Sequence, residues 1–267
     1  MRPRVPSKRR AGPRLRRGIY LIPSLFTVAN LFFGFWSIID TTQGRFRRAA
    51  VLILVAIVAD ILDGRIARLT GTTTSFGEAY DSLADVISFG AAPALLAYRW
   101  GLRLQPDFGL FFSFLFLAAG SIRLARFSSR AHDTHSFSGL PIPAGAGAIA
   151  MLVLISPEPV SHTAFIPVVM VFVLALSLLM VSSLPYRSFK DLNLRRRWPA
   201  TTIFMVALVI SLVTVRPDVL AILLGLYILS APVAVLSRWV RSRRRREPAP
   251  DAAATEPPGS REPDDDL

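Results

Sequence analysis

The chain has 267 residues, 52% of them hydrophobic, no cysteine, and 31 Lys and Arg against 18 Asp and Glu, a formal charge of +13. A nucleic-acid binder this basic would be polar, yet only 18% of residues are charged and the mean hydropathy is +0.46. A soluble fold is excluded because several apolar runs reach or approach the roughly 18 residues that cross a bilayer, and the missing cysteines exclude disulfides, thiolate metal sites and cysteine nucleophiles.

Residues 1–17 are rich in Arg, Pro and Gly and are expected to form a disordered basic tail. They lead into an apolar stretch with no small-residue cleavage site, so no cleavable signal is expected. Hydropathy then gives eight spans: 21–39, 47–69, 79–98, 108–127, 142–156, 164–183, 200–215 and 219–237. The fifth and seventh are short, so the prediction is an all-α, polytopic transmembrane helical bundle of six to eight spans occupying residues 18–237. Residues 238–267 form a basic juxtamembrane run, Arg238 to Arg246, whose expected contact is anionic lipid headgroups, followed by a disordered acidic tail. No internal repeat supports an inverted-repeat transporter, and no nucleic-acid partner is expected.

Charge placement orients the bundle. With the N-terminus inside and eight spans, 25 of the 31 basic residues fall on the inner side and 6 outside (Arg45, Arg47, Arg48, Arg99, Arg103, Arg216). Both termini are therefore expected in the cytoplasm. The first outer loop, with three arginines, fits least well.

Four carboxylates stand where carboxylates are costly. Asp60, Asp63, Asp81 and Asp85 fall inside or at the mouth of the second and third spans, and an Asp at a helix centre costs roughly 2.5–3.5 kcal/mol even on the lenient insertion scale. Asp60 and Asp63 are i,i+3 on one helix, and Asp81 and Asp85 are i,i+4 on the next, so each pair shares a face. Two antiparallel neighbours can aim all four into one pocket. Oxygen donors at this density suit Mg²⁺, Mn²⁺ or Ca²⁺ rather than zinc. Asp63 and Asp85 each lie six residues from the cytoplasmic end of their span, about 9 Å of helix rise, so the pocket opens to the cytoplasm while its side meets lipid. That placement fits one lipidic and one water-soluble reactant.

The loop 69–77 contains Ser75, which with Glu78 forms a capping box expected to start the third helix. Gly64 and Ala67 leave bare helix surface for a bulky group, and Arg68 offers a bidentate fork to phosphate. Small residues, an arginine and acid-bound metal together describe a nucleotide-diphosphate site. Taken singly, a membrane Asp serves as a packing hydrogen bond or a proton relay as readily, and Gly64 and Ala67 as packing residues.

Read in full, the segment is Asp60-x2-Asp63-Gly64-x2-Ala67-Arg68-x8-Gly77-x3-Asp81-x3-Asp85. It resembles the complete signature of the CDP-alcohol phosphatidyltransferases, with no departure at a fixed position. The resemblance implies a membrane enzyme, usually homodimeric, that displaces CMP from a CDP-linked lipid using an alcohol nucleophile and divalent metal. It implies metal ligands at Asp60, Asp63, Asp81 and Asp85 for Mn²⁺ or Mg²⁺, as two ions; CDP contacts at Asp60, Gly64, Ala67, Arg68 and Gly77; and Asp85 as general base. The stretches 75–94, Ile122-Arg-Leu-Ala-Arg-Phe127, Phe137-Ser-Gly-Leu-Pro-Ile-Pro143 and Met180-Val-Ser-Ser-Leu-Pro-Tyr-Arg-Ser-Phe-Lys190 resemble the phosphatidylserine synthase branch. Ser128 departs from the Asn more usual there. The resemblance covers residues about 20–197 and implies CDP-diacylglycerol and L-serine as substrates, and the preponderance of Arg over Lys together with the many Ala points to a GC-rich bacterial source, hence a bacterial plasma membrane.

A serine acceptor brings a carboxylate, and Arg123 and Arg126 at the cytoplasmic end of the fourth span are the first choice to bind it; Arg187 and Lys190 are the second. The alternative role of these four is positive-inside anchoring. The segment 139–147, with two Pro and three Gly, is expected to shape a cavity wall, and the histidines His132, His135 and His162 to lie in solvated loops. Two rival readings are a sibling transferase using glycerol phosphate or an inositol phosphate, and an ion transporter using the four aspartates.

Overall fold

A computed structural model describes residues 13–70, 74–129, 139–184, 186 and 217–244. Among them every regular element is helical: α1 (Pro13–Thr42), α2 (Phe46–Thr70), α3 (Ser75–Asp85), α4 (Ala92–Ala97), α5 (Pro106–Ser129), α6 (Ile142–Ile155), α7 (Ile166–Val181) and α8 (Pro217–Arg244). Four helices are long and apolar enough to cross a membrane, at Leu25–Thr42, Pro106–Arg126, Thr163–Val181 and Pro217–Val235. The span expected at 200–215 lies outside the described residues. Helix α1 starts at Pro13, inside the stretch read as a tail, where proline at the first helical position has no donor to lose. Helix α8 likewise continues through the basic run to Arg244.

The first two helices form a hairpin closed at Gly44. Its φ of +76° lies in the left-handed region, its N–H donates to Thr41 O at 3.1 Å, and that of Arg45 donates to Asp40 O at 2.9 Å. These two bonds are the Schellman pair that satisfies the last carbonyls of a helix. The buried Asp40 carboxylate takes ion pairs from Arg48 at 2.8 Å and Arg45 at 3.6 Å, and Arg48 lies over the Trp36 ring at 4.9 Å. Two of the three arginines that fit the charge count least well thus share one carboxylate, which offsets one of their charges.

Helix α1 is polar on the inside and apolar on the outside. Thr27, Asn30, Ser37 and Thr41 are buried, as is Gly34 between them, whereas Leu25, Val28, Phe32, Phe35, Trp36 and Ile39 are exposed. A surface that apolar has lipid as its natural solvent. The buried stripe bonds to neighbouring helices: Ser37 Oγ donates to Ala49 O at 2.9 Å, and Ser88 Oγ to Asn30 O at 3.0 Å. Helix α2 packs against it, and its buried Ala49, Ala50, Ala56 and Ala59 are small enough to let neighbouring helices approach closely.

The third expected span, 79–98, is not one regular helix. After Asp85 the chain widens into a π-helical turn (Val86–Ala91), resumes as α4, and widens again at Tyr98–Leu102. Pro93 is the physical reason for the first break: it cannot donate to the carbonyl four residues back, and the wider turn, with Ala92 N–H bonded to Ile87 O, accommodates it. Gly34 fits this turn so closely that a Cβ there would lie 2.2 Å from Ser88 Oγ.

The loops sort to two ends. At one end Arg99 donates to Thr42 O at 3.1 Å, Trp100 Nε1 to Ser156 O at 2.8 Å, and Val160 N–H to Trp100 O at 2.9 Å. At the other, Arg126 donates to Val181 O at 2.9 Å, Gly139 N–H to Leu184 O and Leu140 N–H to Leu179 O, both at 2.9 Å. Gly139, at φ +89°, is required there because a Cβ would meet Met180 O at 2.3 Å. Helix α8 contains Pro232, which frees the carbonyl of Ile228, and Tyr186 Oη donates to that carbonyl at 2.9 Å.

Candidate active site

Helices α1, α2 and α3 converge at the second of these ends. Thr74, not Ser75, caps α3: its backbone is extended and its hydroxyl accepts from Gly77 N–H at 3.0 Å. The one-residue shift puts Gly77, rather than Glu78, at the third helical position, so the expected capping box does not form. With the cap at Thr74, the residues four apart on α3, Asp81 and Asp85, face α2.

The geometry joins three of the four aspartates directly. Carboxylate oxygens of Asp60, Asp81 and Asp85 lie within 4.8 Å of one another. Asp63 stands beside Asp81, near enough to act on it electrostatically, and its Oδ2 accepts a hydrogen bond from Thr27 Oγ1. Two oxygens, Asp63 Oδ1 and Asp81 Oδ1, are buried with no hydrogen-bond partner. Buried acceptors without donors are costly, and a cation is the partner that several clustered carboxylates share. Oxygen donors alone fit a hard divalent ion, so these residues suit the metal expected here.

Residues that were not singled out in the sequence complete the site. Thr27 and Asn30 on α1 hold Asp63 and Asp85, with Asn30 Nδ2 donating to Asp85 Oδ1 at 3.1 Å. Their signal was present as polar and small residues at 27, 30, 34, 37 and 41, a helical face of the wrong polarity for lipid.

The two arginines of the fourth span part company. Arg123 is half-buried on α5 and interacts electrostatically with both Asp85 and Tyr227 of α8, and its Nε is buried without a hydrogen-bond partner. Arg126 is exposed and donates to Val181 O, covering the end of α7. Gly64 is partly buried on α2, one residue beyond Asp63. The backbone of Ala67 and Arg68 continues α2, whereas Arg187 and Lys190 lie outside the described residues.

The family model for CDP-alcohol phosphatidyltransferase matches residues 20–236 of this chain, further than the 20–197 over which the motifs are legible. A CDP-diacylglycerol–serine O-phosphatidyltransferase of Helicobacter pylori is 39% identical over 230 residues, covering 83% of this chain and 92% of its own. A protein of the same name from Mycobacterium leprae is 30% identical over 243 residues, 85% of this chain and 80% of its own. An archaetidylserine synthase of Methanothermobacter thermautotrophicus is 36% identical over 167 residues, 62% and 69% respectively.

Proposed function

This chain belongs to the CDP-alcohol phosphatidyltransferase family, and from that premise we propose that it transfers the phosphatidyl group of CDP-diacylglycerol to the hydroxyl of L-serine, giving phosphatidylserine and CMP. The observation that carries the reading is the convergence of Asp60, Asp81 and Asp85 within 4.8 Å on two helices whose sequence bears the full signature. The bacterial relatives named for serine transfer support serine as the alcohol.

The division of labour follows from chemistry. Asp60, Asp63, Asp81 and Asp85 hold two Mn²⁺ or Mg²⁺ ions. When bound, such ions would supply charge neutralisation for the diphosphate and Lewis-acid activation of its phosphorus. Asp60, Gly64, Ala67, Arg68 and Gly77 receive the CDP moiety, the small residues giving it room and Arg68 pairing with phosphate. Asp85 accepts the hydroxyl proton of the acceptor, since an unactivated alcohol is a poor nucleophile at neutral pH. Asn30 keeps one Asp85 oxygen in place for that task, and Arg123 offers its guanidinium to the acceptor's carboxylate. Arg187 and Lys190 are the second choice for that contact. Arg126 serves the fold through α7.

The enzyme is an integral membrane protein of six to eight spans in the bacterial plasma membrane, with residues 18–237 as the catalytic unit, both termini and the active site cytoplasmic, and a homodimer as its assembly. Three features support this arrangement: four helices long enough to cross, outward apolar faces such as Phe108, Phe111 and Phe114 of α5, and the sorting of loops to two ends. Purified enzyme given CDP-diacylglycerol, L-serine and Mn²⁺ is expected to release CMP. Asp85→Asn is expected to abolish release while retaining CDP-lipid binding, and retained turnover removes Asp85 as base.

A further inference from the structure

Asn30 is fully buried at the centre of the site, 0% exposed. Its Nδ2 is committed to Asp85 Oδ1 at 3.1 Å, and its backbone carbonyl accepts from Ser88 Oγ at 3.0 Å, so both helix and side chain are fixed. The amide cannot be turned over, because its oxygen would then face a carboxylate oxygen. What remains is Asn30 Oδ1, buried and without a hydrogen-bond partner. A carbonyl oxygen in that state calls for an N–H or O–H donor that arrives with a ligand.

Resting on the reading of the chain as a serine transferase, we propose that Asn30 Oδ1 binds the ammonium group of the acceptor amino acid, making Asn30 a specificity-determining residue. The amide oxygen and nitrogen of one side chain are about 2.3 Å apart, so Oδ1 lies about 5 Å or less from Asp85 Oδ1. In a β-hydroxy-α-amino acid the hydroxyl oxygen and amino nitrogen sit on adjacent carbons, about 3 Å apart when gauche. A hydroxyl donating to Asp85 therefore brings the ammonium within reach of Asn30 Oδ1, with each hydrogen bond near 3 Å. Arg123, which also senses Asp85, is left for the carboxylate. The three groups of serine thus meet three different side chains: an acid for the hydroxyl, an amide oxygen for the ammonium and a guanidinium for the carboxylate. An acceptor carrying phosphate in place of the ammonium would set its oxygens against the amide oxygen, a repulsive contact that excludes it.

The test compares L-serine with 3-hydroxypropionate, the same molecule without its amino group. For wild type and Asn30→Ala, the KM of L-serine and the Ki of 3-hydroxypropionate against serine are measured, together with the Kd of CDP-diacylglycerol and the Mn²⁺ midpoint. The Ki needs no turnover of the analogue. Asn30→Ala is expected to raise the serine KM about ten- to a hundredfold and to leave the 3-hydroxypropionate Ki within about twofold, so that the ratio of the two collapses. An equal rise in both constants assigns Asn30 to holding Asp85 alone and overturns the proposal, as does a shifted Mn²⁺ midpoint with an unchanged ratio. Should Asn30→Ala fail to bind CDP-lipid, Asn30→Ser is read by the same ratio. If wild-type enzyme does not turn over serine, the parent reading fails, and the two failures are told apart.

Discussion

Asp85 joins several parts of the site: it shares the cluster with Asp60 and Asp81, accepts from Asn30, and interacts electrostatically with Arg123. Each of those neighbours comes from a different stretch of sequence, and only the aspartates announce themselves by cost, since a carboxylate in a span needs a reason. Asn30 and Thr27 announce nothing by type; a buried Asn or Thr is a common packing residue in membranes. Their meaning is read from what they touch. The arginines show the complementary limit, because i,i+3 spacing predicts a shared face for Arg123 and Arg126, yet one senses the acid cluster and the other covers the carbonyl of Val181. Arg123→Ala is accordingly expected to raise the serine KM about tenfold or more while changing that for CDP-diacylglycerol little. Arg126→Ala should leave the serine KM unchanged and lower the thermal midpoint in detergent. Steady-state kinetics on the two variants decide it, and equal serine effects would return the pair to a common role.

At the scale of elements, the helices themselves follow from hydropathy and length: four described helices are long and apolar enough to cross a membrane, and the expected span at 79–98 is helical in several segments. What hydropathy cannot register is a change of helical pitch. The π turn after Asp85 follows from Pro93 and brings Ser88 against Gly34, which ties α1, and with it Thr27 and Asn30, to the segment carrying the candidate base. Gly34 thus permits the close approach by which α1 brings Thr27 and Asn30 to the site. Gly34→Val would place side-chain atoms inside Ser88, and overpacking of that kind costs about 1–3 kcal/mol. The variant is expected to lose stability and, through displaced Asn30, serine turnover as well. A thermal midpoint and serine kcat/KM both unchanged would show that the two helices part without consequence.

For the whole molecule, the loops of the described residues sort to two ends. Residues 42–45, 99–105 and 156–160 meet at one end, and the α5 to α6 and α7 termini at the other, the alternation that a serpentine chain demands. Two of the three arginines of the 42–48 region, Arg45 and Arg48, are held by Asp40. An absence of cysteine makes the orientation directly measurable: Gln43→Cys and Glu158→Cys should react with an impermeant maleimide from outside intact cells, and Ser128→Cys only after lysis. Labelling of Ser128→Cys from outside would invert the topology.

Transfer of the phosphatidyl group to serine is read out by competition among acceptors. Purified enzyme with CDP-diacylglycerol and Mn²⁺ is offered equimolar L-serine, glycerol 3-phosphate and inositol phosphate together, and the lipid products are identified by mass spectrometry. Phosphatidylserine is expected as the dominant product, formed in step with CMP; a phosphatidylglycerol phosphate or phosphatidylinositol phosphate product in its place would overturn serine as the acceptor.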